Sequence, residues 1–310
     1  MKKVSIKVTF AGLILLGFLS SAANQCSGNR SEGSLRNAII WRISGNDLPS
    51  PSFLFGTVHA IDSGNLSIHA TVAEQLRRCD RIVFESDLSD PHYQQRALSF
   101  AMMENDSLDG LLTRAEYEAL RAFFHEEFNF PLDAVRKMKP FYLASLIGAL
   151  NADGNNTSHE EKFMRMAREE GIGITGISTL EKESAILSGI ELKDQVAYLL
   201  DEVESYKSGR SEWLKNEIIK AYQKADIEKI YVLMSGSLAN HPSLFEQMFV
   251  QRNVSWIPAM IDLMKDQSCF FAVGVGHLPG ESGLISLLRN RGYKVRPVRM
   301  DFWFHSLEEK

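Results

Sequence analysis

The sequence predicts a single α/β domain in which two similar strand–Gly-x-x-His–helix–strand halves flank a large helical insertion. Three observations carry this. Continuous apolar runs such as Ile82-Val83-Phe84 and Phe270-Phe271-Ala272-Val273 have the length and composition of strands buried on both faces. Such runs gather near the two ends of the domain, whereas residues from about 104 to 266 carry mostly the periodicity of amphipathic helices. Gly-x-x-His follows an apolar strand twice, at Gly56-Thr57-Val58-His59 and at Gly274-Val275-Gly276-His277.

Read in order, the chain begins with an address. Lys2, Lys3 and Lys7 precede an apolar stretch over 8–19, too short to span a bilayer comfortably, and Ser20-Ser21-Ala22-Ala23 supplies small residues for cleavage. Residues 1–23 therefore read as a signal peptide, and the protein is expected to be exported, periplasmic or secreted. Cys26 is a candidate for acylation after cleavage, although Ala23-Asn24-Gln25 is a weak lipobox. Residues 24–37 form a polar leader, and 38–310 the folded domain.

Within that domain, 38–43 and 53–55 are expected strands, the second running into Gly56 and His59. A helix over 68–78 and a buried strand over 81–85 follow. Thr113-x-x-Glu116 and Ser158-x-x-Glu161 are capping-box starts for helices to about 127 and 170. Pro140 opens an apolar helix to 150, because its missing N–H is not needed in a first turn. Residues 173–178 form a short strand. Amphipathic helices are expected near 191–207, 211–225, 226–235 and 242–266. The strand 269–273 leads to His277, a helix over 281–290 and, past Gly292, a strand over 293–298. The methionines, among them Met102, Met103, Met164, Met166, Met260 and Met264, are expected on helices as core filler.

Composition narrows the function classes. The chain has 310 residues, 45% apolar and 10% aromatic, which supports a large core and excludes general disorder. Three cysteines exclude a disulfide framework, and whether Cys79 pairs with Cys269 is not derivable from spacing. A net charge of −5, more acidic once the signal lysines leave, argues against nucleic acid as a partner. No apolar run after the signal is long enough to span a membrane.

The chemistry concentrates at strand ends. A glycine three residues before each histidine lets the chain turn tightly where the strand stops, aiming the imidazole from a rigid base. Glu85 continues a buried strand, which is costly unless it meets a cation, a proton or good donors. His59, His277 and Glu85 could hold a divalent metal with open positions. They could equally form a metal-free acid/base set, or Glu85 could simply pair with an arginine, for which Arg252 is the candidate. Other motifs are excluded. His125 and His159 lack the second histidine of a helical zinc-protease signature, and there is no Cys-x-x-Cys, P-loop or Gly-x-Ser-x-Gly. Gly171-x-Gly173-x-x-Gly176 leads into a strand where phosphate binding needs a helix start. Gly274-x-Gly276-x-x-x-Gly280 is a loosened dinucleotide loop with His277 where phosphate would need close backbone approach.

The stretches FLFGTVHAID (53–62), RIVFESDL (81–88), KMKPFYLASL (137–146), TSHEEKFMRMAREEGIGITGI (157–177), QRNVSWIPAMI (251–261) and 270–298 resemble the TraB/GumN family, which includes the Tiki-type metalloproteases. The resemblance implies one α/β domain with His59, Glu85 and His277 as the site and Arg252 nearby. It adds Glu160, within Thr157-Ser158-His159-Glu160, as a further catalytic candidate. It implies metal-dependent cleavage of a peptide or protein substrate, with manganese or cobalt as the ion and zinc as a further candidate. The alternative, from ChaN-like relatives, is a haem- or metal-binding protein without turnover.

Overall fold

Apolar runs near the two ends of the domain supply most of the strands in the computed structural model, which describes residues 38–58, 61–62, 67–151 and 156–300. The strands are β1 (Ile40–Ser44), β2 (Ser52–Thr57), β3 (Ile61–Asp62), β4 (Arg81–Ser86), β5 (Asn156–Thr157), β6 (Gly173–Ser178), β7 (Cys269–Gly274) and β8 (Lys294–Pro297). The expected signal peptide and leader, with Cys26, lie outside the described residues, as does His59.

Six of these strands form one sheet in the order β6-β4-β7-β2-β1-β8, and β3 pairs with β5 apart from it. β2 pairs with β7, and β4 with both β7 and β6, all in parallel. β1 runs antiparallel between β2 and β8. The three inner strands β4, β7 and β2 are buried along nearly their whole length, because both faces of the sheet are covered there.

The connections explain where a crevice opens. From β2 the chain passes through α1 (Ala70–Arg77) to β4, skipping β7 in one direction. From β7 it passes through α13 (Leu284–Asn290) to β8, skipping β2 and β1 in the other. Right-handed crossovers of opposite sense send their helices to opposite faces. The carboxyl ends of β2 and β7 thus form a switch point, the place where open α/β sheets bind ligands.

The long middle of the chain covers both faces. It comprises α2 (Tyr93–Ala101), α3 (Leu108–Leu111), α4 (Arg114–Phe128), α5 (Pro140–Leu150), α6 (His159–Glu170), α7 (Leu180–Leu187), α8 (Leu192–Lys207), α9 (Arg210–Gln223), α10 (Ile227–Ser237), α11 (Pro242–Phe245) and α12 (Arg252–Asp266). β6 falls within it and returns to the sheet beside β4, so the stretch is not helical throughout. Local chemistry starts the helices as expected. Thr113 and Glu116 complete a reciprocal capping box on α4. Pro140 occupies the first turn of α5. On α6 only half of the box forms: Ser158 Oγ accepts from the Glu161 N–H at 3.2 Å, while the Glu161 carboxylate takes the Thr157 hydroxyl at 3.1 Å.

Four readings change. α2 and α7 are helices the sequence reading passed over. Met102 caps the end of α2 and bridges Met138, and Met103 follows it, so neither lies on a helix. The helix expected over 281–290 begins at Leu284, because Gly283 turns so close to the Pro279 carbonyl, 2.1 Å from where a Cβ would stand, that the chain reaches helical geometry only afterwards. The single helix expected over 242–266 is interrupted by a π-helical segment, Glu246–Gln251, directly before Arg252. Apolar periodicity runs through that segment, which is why the sequence reading missed it.

One core joins these parts. Phe55 packs edge-on against Phe163 at 5.2 Å, and Phe163 against Phe270 at 5.4 Å, locking α6 to the middle of the sheet. Each such fully buried side chain contributes about 1.5–3 kcal/mol through its removal from water. Cys79 and Cys269 are both buried free thiols, pushed up to about 12, chiefly by burial. No helix among the described residues is long and apolar enough to cross a membrane.

Candidate functional site

Glu85 is the penultimate residue of β4 and is buried. A carboxylate there needs partners, and it has them. Oε2 accepts from Arg252 Nη2 at 2.6 Å, and Oε1 accepts from the Gly274 N–H at 2.7 Å. The second bond ties β4 to the last residue of β7, at the point where that strand hands over to a 3-10 turn over Val275–His277.

Arg252, 3% exposed, is the hub. Its Nε donates to Glu183 Oε2 at 2.5 Å, and its guanidinium lies 4.7 Å from the Trp256 ring centre. Trp256 Nε1 donates to the other Glu183 oxygen at 2.9 Å. Burial works against the guanidinium charge, but Glu183 and Glu85 outweigh it by charge and by hydrogen bond, and the pKa is held above its ordinary value. Glu183 is the residue the sequence reading missed. The signal was there: on α7, Leu180, Glu183 and Leu187 share one buried stripe, and a carboxylate inside an apolar stripe needs a buried partner.

His277 closes the group. Nε2 stands 3.4 Å from Arg252 Nη1 and 3.9 Å from Glu85 Oε1. Its ring packs against Trp256 at 4.6 Å and Phe249 at 5.1 Å. Nδ1 lies 2.7 Å from Asn253 Oδ1. Behind Glu85 stands Tyr93, a phenol pushed up to about 12 by burial first and the charge of Glu85 as well, against a hydrogen bond from Ser86. Tyr142, near Arg252, is also pushed up to about 12 by burial. Both phenols are therefore neutral at ordinary pH.

A second polar group borders the end of β2. His159, fully buried at the start of α6, sets Nδ1 3.3 Å from the Val58 nitrogen and 3.1 Å from its carbonyl oxygen. Its Nε2 is 3.4 Å from the Tyr222 hydroxyl, which donates to the Gly56 carbonyl at 2.7 Å. Glu160, the next residue, is buried and acts electrostatically on Tyr222. Between the two groups, Thr57 Oγ1 is buried without a hydrogen-bond partner.

Of the predicted site residues, Glu85, Arg252 and His277 are in mutual contact, and Glu160 belongs to the adjoining group. His59 lies outside the described residues, two positions beyond Thr57, whose Cα pairs with that of Gly274. Among the described residues, no three His, Cys, Asp or Glu side chains form a metal-holding cluster. The charges of the Arg252 group nonetheless suit a cation. Glu85, Glu183 and Arg252 leave one net negative charge in a buried place when His277 is neutral, a state that a cation or a proton relieves.

A sequence model of the TraB/PrgY/gumN family matches residues 39–297. Among curated proteins, the chain is 23% identical over 340 residues to "Metalloprotease TIKI2" of Danio rerio, covering 88% of this chain and 63% of that one. It is 22% identical to "Metalloprotease TIKI2" of Xenopus tropicalis, with 87% and 61% covered. It is 21% identical to "Metalloprotease TIKI1" of Homo sapiens, with 84% and 61% covered. The chain thus spans less than two-thirds of the length of each of these relatives. No solved structure gives a significant match.

Proposed function

The chain belongs to the TraB/PrgY/gumN family, and on that premise we propose that it is an exported, metal-dependent hydrolase that cleaves peptide bonds. The observation that supports this most is the Glu85–Arg252–His277 group at the carboxyl edge of β4 and β7, with His277 Nε2 3.9 Å from Glu85 Oε1. The similarity to proteins named metalloproteases supports the reaction class. Residues 1–23 support export.

His277 and Glu85, with His59 as the remaining ligand, would hold a divalent ion, manganese or cobalt first and zinc next. Bound there, such an ion would supply Lewis acidity for a scissile carbonyl. The chain's own groups do the rest. Glu85 Oε1, fixed by the Gly274 N–H, is the base that takes a proton from the attacking water when it is not itself a ligand. Arg252, bonded to Glu85 Oε2, sets a fixed positive charge against the developing oxyanion. Glu160, buried beside His159 and close enough to Tyr222 to act on it by charge, is a further acid/base candidate.

The test is metal content by elemental analysis of purified protein, together with cleavage of a peptide library in manganese. Wild type should retain the ion and cleave. His277→Ala and His59→Ala should lose both properties. Equal metal content in wild type and both variants would sink the ligand assignment. A haem absorption band lost in His277→Ala, with no cleavage of any peptide, would instead establish binding without turnover.

A further inference from the structure

Asn253 has no place in the chemistry above, yet it is 2% exposed and makes three hydrogen bonds around His277. Its Nδ2 lies 2.8 Å from the Ser282 carbonyl oxygen and 3.3 Å from that of His277. Carbonyl oxygens only accept, so these two partners identify Nδ2 as the donor end and fix which way the amide faces. The other end, Oδ1, is then 2.7 Å from His277 Nδ1 and must accept. Nδ1 therefore carries a hydrogen. In the neutral ring, Nε2 is left as the lone-pair nitrogen, on the side where Arg252 Nη1 and Glu85 Oε1 stand.

We propose that Asn253 is a positioning residue that holds His277 in its Nδ1–H tautomer and so presents Nε2 to the site as a ligand or proton acceptor. One amide also binds the His277 carbonyl and the loop carbonyl at Ser282, so ring, backbone and following loop are set together. The π-helical segment ends at Gln251, and α12 then begins with Arg252 and Asn253, both buried. Two successive residues of the chain thereby serve the two sides of one imidazole. Outer partners of this kind are a general requirement of metal-binding histidines. The use of Nε2 rests on the proposed function; the tautomer does not.

The test reads the tautomer directly, by two-bond proton–nitrogen NMR on metal-free protein labelled at histidine, with His277 assigned by its absence in His277→Gln. Wild type should show Nδ1 protonated. Asn253→Ala should move the proton wholly or partly to Nε2 and weaken manganese binding by about 10–100-fold. Asn253→Asp, which keeps an acceptor opposite Nδ1, should keep that nitrogen protonated. Val254→Gly, an exposed change on the same helix, should lower Tm and leave the signal unchanged. An Asn253→Ala protein with an unaltered Nδ1–H signal overturns the proposal. If that variant does not fold, loss of the Nδ1 proton in Asn253→Asp overturns it. Wild type that takes up no manganese but shows the tautomer shift would defeat the metal reading alone.

Discussion

Arg252 carries opposite obligations to two carboxylates and a ring nitrogen, so its loss does more than remove contacts. Arg252→Ala would leave Glu85 and Glu183 buried without their cation, a change that costs about 3–5 kcal/mol. Urea unfolding should show that drop, and a loss below about 1 kcal/mol would mean the carboxylates find other partners. The two buried thiols set a different dependence. Each is an acid whose folded pKa, about 12, exceeds the ordinary 9.0. Unfolding then releases protons, so the stability present below 9.0 is lost as pH rises toward about 12, by up to about 1.4 kcal/mol per pH unit for each thiol. The Cys79→Ala/Cys269→Ala double variant should show a flatter alkaline decline, and an unchanged slope would refute the assignment. At this scale Glu85 and His277 were legible because one ends a buried apolar strand and the other closes a Gly-x-x-His motif, and Arg252 because a buried carboxylate calls for a cation. Glu183 and Asn253 were not, since their importance comes from partners on other elements, and a lone acid or amide on a helix is ordinarily solvated.

Elements were legible where local chemistry decides them. The Thr113 box, Pro140 and the apolar runs of β4 and β7 all specify their own ends. α2 and α7 were lost because eight or nine residues with weak periodicity do not separate a helix from a loop. The π-helical segment could not be read at all, since one extra residue in a turn leaves the apolar pattern nearly intact. Contact between elements is also where Gly56 matters. A Cβ there would meet Val275 Cγ2 at 2.9 Å and its Cα at 3.0 Å. Gly56→Ala should therefore push the 3-10 turn that carries His277 away from β2. Metal uptake and peptide cleavage should fall well before thermal stability does. A variant that keeps full uptake would show that the turn yields without moving the histidine.

Across the whole molecule, the α/β class followed from the sequence. The sheet order did not, because nothing local tells β8 to cross two strands or β6 to join beside β4. One consequence of that order concerns what is attached to the domain. β1 is antiparallel to β2, so its first residue enters at the carboxyl edge, where the Gly56 N–H donates to the Ile39 carbonyl at 2.8 Å. β8 ends at the same rim, with the Val298 N–H donating to the Ile40 carbonyl at 3.0 Å. Both ways out of the domain therefore open on the rim where the proposed site lies. On the proposed function, a bulky fusion before residue 38 should slow cleavage of large proteins more than of short peptides. Equal slowing, or none, in a side-by-side assay would show that the tether swings clear.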